Sequence, residues 1–213
     1  MTSILLIRHG ETAWNAVRRL QGHIDIPLNE AGARQAEALA RALAGEQLDA
    51  IISSDLERAV QTAQAVARQH PGVPLHSDPG LRERGYGAFE GLLYTEIAER
   101  YPLEFAEWQA RDVDAVMPAG ERLAESFRAF YQRCLDGIAR WAERYPQQRI
   151  VIVAHGGVLE CAYRAARGLS LEGPRDFQIK NASINRFVHR NGSLSLEQWG
   201  DTAHLNLALD DVI

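Results

Sequence analysis

The chain has 213 residues, 46% hydrophobic and 24% charged, which is enough apolar content to bury the core of one domain and too much for a disordered chain. Its 23 basic and 28 acidic residues give a net charge of −5, so no overall basic field exists to attract nucleic acid. Any anion site therefore has to be a local cluster of arginines. The opening apolar run is too short for a signal peptide, and no later stretch reaches the length of a membrane span. Cys134 and Cys161 each fall on the apolar side of a predicted helix, so buried free thiols in a reduced, cytoplasmic setting are expected.

Strand and helix patterns alternate, the signature of a mainly parallel sheet covered on both faces. Ser3–Arg8 reads as the first strand. Asn29 can cap a helix with Ala36, Leu39, Ala40 and Leu43 on one face, ending near Gly45. Ala50–Ser53 is a second strand, and Asp55 can cap the helix that runs to about Gln69. His76 to Arg84 is looser and extended, broken at Pro79-Gly80. Leu92 to Arg111 is helical, with Tyr94, Ile97, Ala98, Tyr101, Phe105 and Trp108 at helical spacing; Val113 to Gly120 has no period. A long helix then carries Leu123, Phe127, Phe130, Cys134, Ile138 and Trp141 on one stripe before Pro146. Ile150–Ala154 is a buried strand, Val158–Arg167 a helix, and Ser183–His189 and Ser193–Trp199 a strand pair around the turn residues Asn191-Gly192. There is no repeat or interdomain linker, so one domain over 1–213 is expected.

The chemistry concentrates at strand ends. Ile4-Leu5-Leu6-Ile7 runs into Arg8-His9-Gly10-Glu11-Thr12, and Ile150 to Ala154 runs into His155-Gly156-Gly157. Two histidines at the ends of two core strands fall at the sheet edge where ligands bind in α/β folds. Arg8 adds a planar fork of donors for phosphate or carboxylate oxygens, and Gly10 lets backbone approach a ligand. Arg58, in the first turn after the second strand, is placed to join them, although taken alone an arginine there is more often solvated. Glu83, in the glycine-punctuated run Leu81 to Gly87, could face the site or merely pair with Arg82 or Arg84. Asn15 and Gln21 offer side-chain amides, Gly22 another close backbone approach, and Gly156 and Gly157 the free amides of a helix N-terminus. His23, His70, His76, His189 and His204 lack metal-ligand spacing and read as surface residues; no metal or cofactor is expected.

This set suits phosphoryl transfer. A phosphate dianion needs fixed cations and donors, which Arg8, Arg58 and helix amides can supply. Imidazole is largely neutral near pH 7, so His9 can attack phosphorus while His155 stabilises the equatorial oxygens. Glu83 is the carboxyl placed to protonate the leaving alcohol.

On these residues the sequence resembles the histidine phosphatase superfamily, in its phosphoglycerate-mutase-like branch, broad-specificity phosphatase type. The motifs are Arg8 to Thr12 with Trp14-Asn15, Leu20 to His23, Pro27 to Gly32, Ser53 to Ala59 with Gln61-Thr62-Ala63, Leu81 to Gly87 with Phe89-Glu90-Gly91, and Val153 to Gly157, all in order. The resemblance implies a three-layer α/β/α sandwich with a mostly parallel sheet and a helical cap insert around residues 92–120. It implies His9 as nucleophile, Glu83 as acid/base, and Arg8, Arg58 and His155 as the phosphate pocket, with Asn15, Gln21 and Gly22 nearby. The leading expectation is a phosphatase for small phosphorylated metabolites. The second is a cofactor-dependent phosphoglycerate mutase, and the third a non-catalytic phosphate-binding module. Against the mutase, the insert from Leu92 to Pro118 has no lysine and no adjacent arginines. It carries Glu96, Glu99, Glu104, Glu107, Asp112 and Asp114 against Arg100 and Arg111, a cap expected to repel a polyanion. Tyr94, Phe105, Trp108 and Met117 lie where that cap would be, as core or as substrate contacts.

Overall fold

A computed structural model describes residues 1–205. Residues 206–213, included in the expected single domain, lie outside the described residues. Strand β1 (Thr2–Arg8) holds Ile4 to Ile7 at no more than 1% exposure, and a single turn, α1 (Ala13–Ala16), follows under a Thr12 cap. Helix α2 (Glu30–Leu43) starts as expected at Asn29, whose side chain accepts from the Gly32 amide at 2.7 Å. Strand β2 (Ala50–Ser53) leads to α3 (Glu57–Arg68).

The expected Asp55 cap on α3 is not formed. Leu56 takes the cap position, and Asp55 instead accepts two bonds from the Arg82 guanidinium, at 2.7 and 2.6 Å. Two charge-assisted bonds outweigh one cap bond. The extended region resolves into a short strand, β3 (Leu75–Ser77), and a tight turn at Pro79–Leu81 capped by Asp78. The helical stretch after Leu92 is two helices, α4 (Tyr94–Arg100) and α5 (Pro102–Gln109), rather than one. Pro102 bars its predecessor from helical geometry, and Tyr101 sits at φ −135°, ψ 57°.

Helix α6 (Phe127–Arg144) begins later than its stripe implied, because Ser126 caps it and Leu123 lies outside, 57% exposed. After β4 (Arg149–Ala154), α7 (Gly156–Arg167) starts two residues earlier than expected, with His155 itself at the cap. Strands β5 (Ile184–Arg190) and β6 (Ser193–Asp201) close a hairpin whose Asn191 and Gly192 both have positive φ, the turn that matches strand twist.

The sheet order is β3-β2-β4-β1-β5-β6, parallel through β1 and antiparallel at β5 and β6. Alternate residues feed two cores: Ile4, Leu6, Ile52, Ile150 and Ile152 pack under α6 and α7, while Leu5, Ile7, Ile51, Val151 and Val153 pack under α2 and α3. This is the expected three-layer α/β/α sandwich with a mostly parallel sheet. A separate small core of Leu20, Phe89, Ile97 and Met117 carries α4 and α5, so the segment around 92–120 packs on the sandwich rather than within it. Among the described residues no helix is long and apolar enough to cross a membrane.

Candidate active site

β1 and β4 are paired in register, Arg8 opposite Ala154, and the His9 amide donates to the Ala154 carbonyl at 3.0 Å. The next residue of each strand is therefore a histidine beside a histidine, with ring centroids 5.2 Å apart. His9 Nδ1 lies 2.6 Å from the Gly10 carbonyl oxygen. A carbonyl only accepts, so Nδ1 carries the proton and Nε2 keeps its lone pair. Burial, then Arg58 and Arg8, hold the His9 imidazole well below its ordinary 6.5, which keeps it neutral. His155 is fully buried behind it. Its Nε2 is 2.8 Å from Ser54 Oγ, and burial, Arg58 and His9 likewise hold it in the neutral form.

Arg58 is not solvated. It is 1% exposed and donates to the carbonyls of Ile24 and Gly22 at 3.1 and 2.9 Å. Burial brings it down to about 10, offset chiefly by Glu83. Arg8 donates to the Ile179 carbonyl at 2.7 Å, and burial lowers it too. Around His9 three buried polar atoms have no partner: Arg8 Nε, Arg58 Nε and His155 Nδ1. Buried polar atoms in folded proteins are almost always paired. The two guanidinium nitrogens among them, beside one imidazole in the cavity wall, are suited to the oxygens of a tetrahedral anion.

Glu83 pairs with neither Arg82 nor Arg84 through its carboxylate. It accepts from the backbone amides of Arg84 at 2.9 Å and Gly157 at 3.0 Å. Its own carbonyl accepts from His23 Nε2 at 2.8 Å and from Arg133, which also donates to the Gly80 and Arg82 carbonyls and to Glu125. The Gly157 amide, expected to be free for a ligand, is thus held by Glu83 in this structure. A side chain at Gly157 would collide with the Glu83 carboxylate and the Phe130 ring.

Arg8, His9, Asn15, Gln21, Gly22, Arg58, Glu83, Gly156 and Gly157 line one cavity of about 1300 Å³. Asn15 Oδ1 accepts from the Thr12 amide, and Gln21 Oε1 accepts from the Thr12 hydroxyl, both at 3.1 Å, which fixes the two carboxamides. Gly10 does not line the cavity. A side chain there would strike the backbone of Gly32, so the glycine permits the approach of α2 rather than of a ligand.

Two further expectations fail. The five other histidines are not surface residues: His70, His189 and His204 are buried, and His23 and His76 half-buried. His204, for example, donates to the Ala182 carbonyl at 3.0 Å. The acidic insert adds only one of its six carboxylates to the cavity wall, Asp112; Glu96 lies against the lining residue Arg19, and the other four are not in the wall. Of the four apolar cap residues, Tyr94 and Trp108 line the cavity, stacked at 5.4 Å, while Met117 is core and Phe105 packs beside it. Residues not anticipated at the site are Ser54, Thr62, Arg133 and Asn181, whose amide donates to the His9 carbonyl at 2.9 Å. Ser54 and Thr62 lie within the stretch Ser53 to Ala63 that carries the resemblance, and Arg133 has the spacing of a solvent-facing helix position; nothing local marks Asn181.

Known proteins resemble this chain over nearly its whole length. A phosphoglycerate mutase-like protein 4 of Arabidopsis thaliana is 37% identical over 204 residues, covering 95% of this chain and 86% of the relative. A metal-independent phosphoserine phosphatase of the same plant is 36% identical over 207 residues, covering 97% and 84%. A solved phosphoserine phosphatase from Entamoeba histolytica superposes with a TM-score of 0.83 at 27% identity, over 96% of this chain and 100% of the other. The family model that matches residues 4–202 is the histidine phosphatase superfamily, branch 1, and the chain belongs to that family.

Proposed function

We propose that the chain is a phosphatase that hydrolyses small phosphomonoesters through a phosphohistidine at His9. The observation that carries this reading is the neutral His9 imidazole, its proton fixed on Nδ1, beside the unpaired guanidinium donors of Arg8 and Arg58 and the unpaired Nδ1 of His155.

In the first step His9 Nε2 attacks phosphorus and the ester P–O bond breaks, with the bonding pair leaving on the alcohol oxygen. Glu83 gives that oxygen its proton. Arg8, Arg58 and His155 hold the equatorial oxygens, where negative charge must be stabilised as bonds reorganise. In the second step water attacks the phosphohistidine, Glu83 takes the water proton, and inorganic phosphate leaves with the P–N bond broken and His9 restored. These cations and donors are those a dianion needs, so no metal is assigned a role. Two of the three relatives above carry phosphatase names, which favours water over a phosphoglycerate as the acceptor. The domain is taken as one unit with residues 92–120 as a cap, and the two cysteines, both buried, suit a cytoplasmic setting.

The test is rapid quench with labelled phosphoester. A protein-bound phosphate that is acid-labile and alkali-stable should accumulate and should be absent in His9→Ala. A trapped species on serine or aspartate, or full activity in His9→Ala, overturns the assignment.

A further inference from the structure

The cavity is far more positive than the reacting phosphate requires. Eight arginine and lysine side chains line it against three carboxylates, in a protein whose net charge is −5. Most of the eight are already committed. Arg8 and Arg58 face the phosphate oxygens. Arg19 donates to the Gly91 carbonyl and lies 3.7 Å from Glu96. Arg84 donates to the carbonyls of Glu125 and Ala115, and Arg111 to Glu160 at 2.7 Å. Arg18, Arg175 and Lys180 remain. Neither Arg18 nor Lys180 forms an ion pair among the described residues. Arg175 lies 3.6 Å from a Glu160 carboxylate already shared by Arg111 and Arg164.

These cations are presented on a braced backbone. The loop between α7 and β5 is held by Arg164, itself 1% exposed, which donates to the carbonyls of Ser170, Gly173 and Pro174. Phe177 packs against Tyr163 at 4.0 Å, and Trp199 donates to the Gln178 carbonyl. Ile179, next to Lys180, accepts from Arg8, so the loop is tied directly to the phosphate pocket. Lys180 is the sole lysine of the chain. Burial, with Glu83, raises the Tyr94 hydroxyl above its ordinary value while Arg175, Arg18 and Arg8 pull it back, so three guanidiniums act on one phenol in the cavity wall.

We propose that Arg18, Arg175 and Lys180 form a second anion subsite, and that the preferred phosphomonoesters carry a carboxylate remote from the reacting phosphate. This rests on the phosphatase reading and names its substrate class. The phosphate takes the charge of Arg8 and Arg58, and the carboxylate takes that of the loop. Arg18 and Arg175 offer it planar forks and Lys180 a point charge.

The matched pair 3-phosphoglycerate and glycerol 3-phosphate differs only in a carboxylate against a hydroxymethyl group. Calorimetric titration of His9→Ala, which cannot turn either over, should give affinity for 3-phosphoglycerate at least about tenfold higher, the size of one charge-assisted contact. Adding Lys180→Ala and Arg175→Ala should bring the two ligands within about threefold, and raising the salt should shrink the preference. Equal affinities in His9→Ala, or a preference untouched by the two loop substitutions, overturn the subsite. Phosphate release from either compound by the unaltered protein reports separately on the phosphatase reading, so the two ideas fail independently.

Discussion

Gly10 joins His9 to Thr62. The Gly10 carbonyl accepts from His9 Nδ1 at 2.6 Å, the Gly10 amide donates to Thr62 Oγ1 at 3.1 Å, and Thr62 in turn donates to the Arg58 carbonyl at 2.8 Å. One chain of hydrogen bonds therefore sets the nucleophile's tautomer and ties it to the helix that carries the second arginine. Thr62→Val keeps the shape and leaves the Gly10 amide unpaired. It should lower kcat on the order of ten- to a hundredfold with a smaller change in KM, because the ring loses its fixed orientation. Thr62→Ser should restore most of the rate. Equal loss in the serine variant would show that packing, not the hydroxyl, matters there.

Both site imidazoles should stay neutral well into the acid range. In the phosphate-free protein their ring resonances should titrate below 6.5. Their folded-state values are depressed, so between the folded and unfolded values the unfolded chain binds more protons. Stability is therefore full above about 6.5 and is lost as pH falls beneath it. His76 and His204 are depressed too and add to the slope. The urea midpoint should fall between pH 7 and pH 5, and fall less in His155→Gln, which removes one of the buried titrating rings. A midpoint that rises over that interval would contradict the assignment.

The general acid should be detectable through its leaving group. Glu83→Gln should slow alkyl phosphates by ~10²–10⁴-fold and nitrophenyl phosphate much less, since a good leaving group needs little protonation. Arg133 acts through Glu83: it clamps three carbonyls of that segment, at Gly80, Arg82 and Glu83. Arg133→Met should show the same leaving-group dependence in weaker form. Uniform slowing of both esters would reduce Arg133 to a structural brace.

The acceptor can be measured directly. Supplied with 3-phosphoglycerate and catalytic 2,3-bisphosphoglycerate, the protein should release inorganic phosphate faster than it forms 2-phosphoglycerate. Isomerisation that outpaces hydrolysis of every monoester tried would favour the mutase reading. The cavity's surplus cations make this comparison more searching than the insert's acidity alone suggested.

The parts of the site that could be read from sequence are those fixed by adjacent backbone. His9 and His155 follow apolar runs, and the sheet register does the rest. Arg58 was placed by a strand-to-helix turn even though its supposed cap, Asp55, proved to be the partner of Arg82. Pro102 carried a local signal for the break between α4 and α5, which the regular spacing of aromatics concealed. His70 continues the buried face of Ala59, Ala63 and Val66, and His189 alternates with Phe187 along β5, so both follow a period that polarity concealed, whereas His204 is held by the Ala182 carbonyl, distant in sequence. Arg18, Arg175 and Lys180 come from two loops more than a hundred residues apart, and loop cations have no spacing that betrays a shared cavity. The insert's carboxylates were legible as residues but not as directions.

The register of β1 against β4 has a consequence for how such a chain can change. The separation of the two imidazoles follows from the spacing of neighbouring strands, about 4.8 Å, and from backbone bonds that do not depend on side-chain identity. The α4–α5 segment lies outside those strands on a small core of its own, and the side chains of Arg175 and Lys180 project from a loop outside them. Replacements there can retune which molecule enters while the reacting imidazole keeps its place. Inheritance of the chemistry is thereby separated from inheritance of the preference, and descendants of one ancestral sheet can diverge in diet without relearning the reaction.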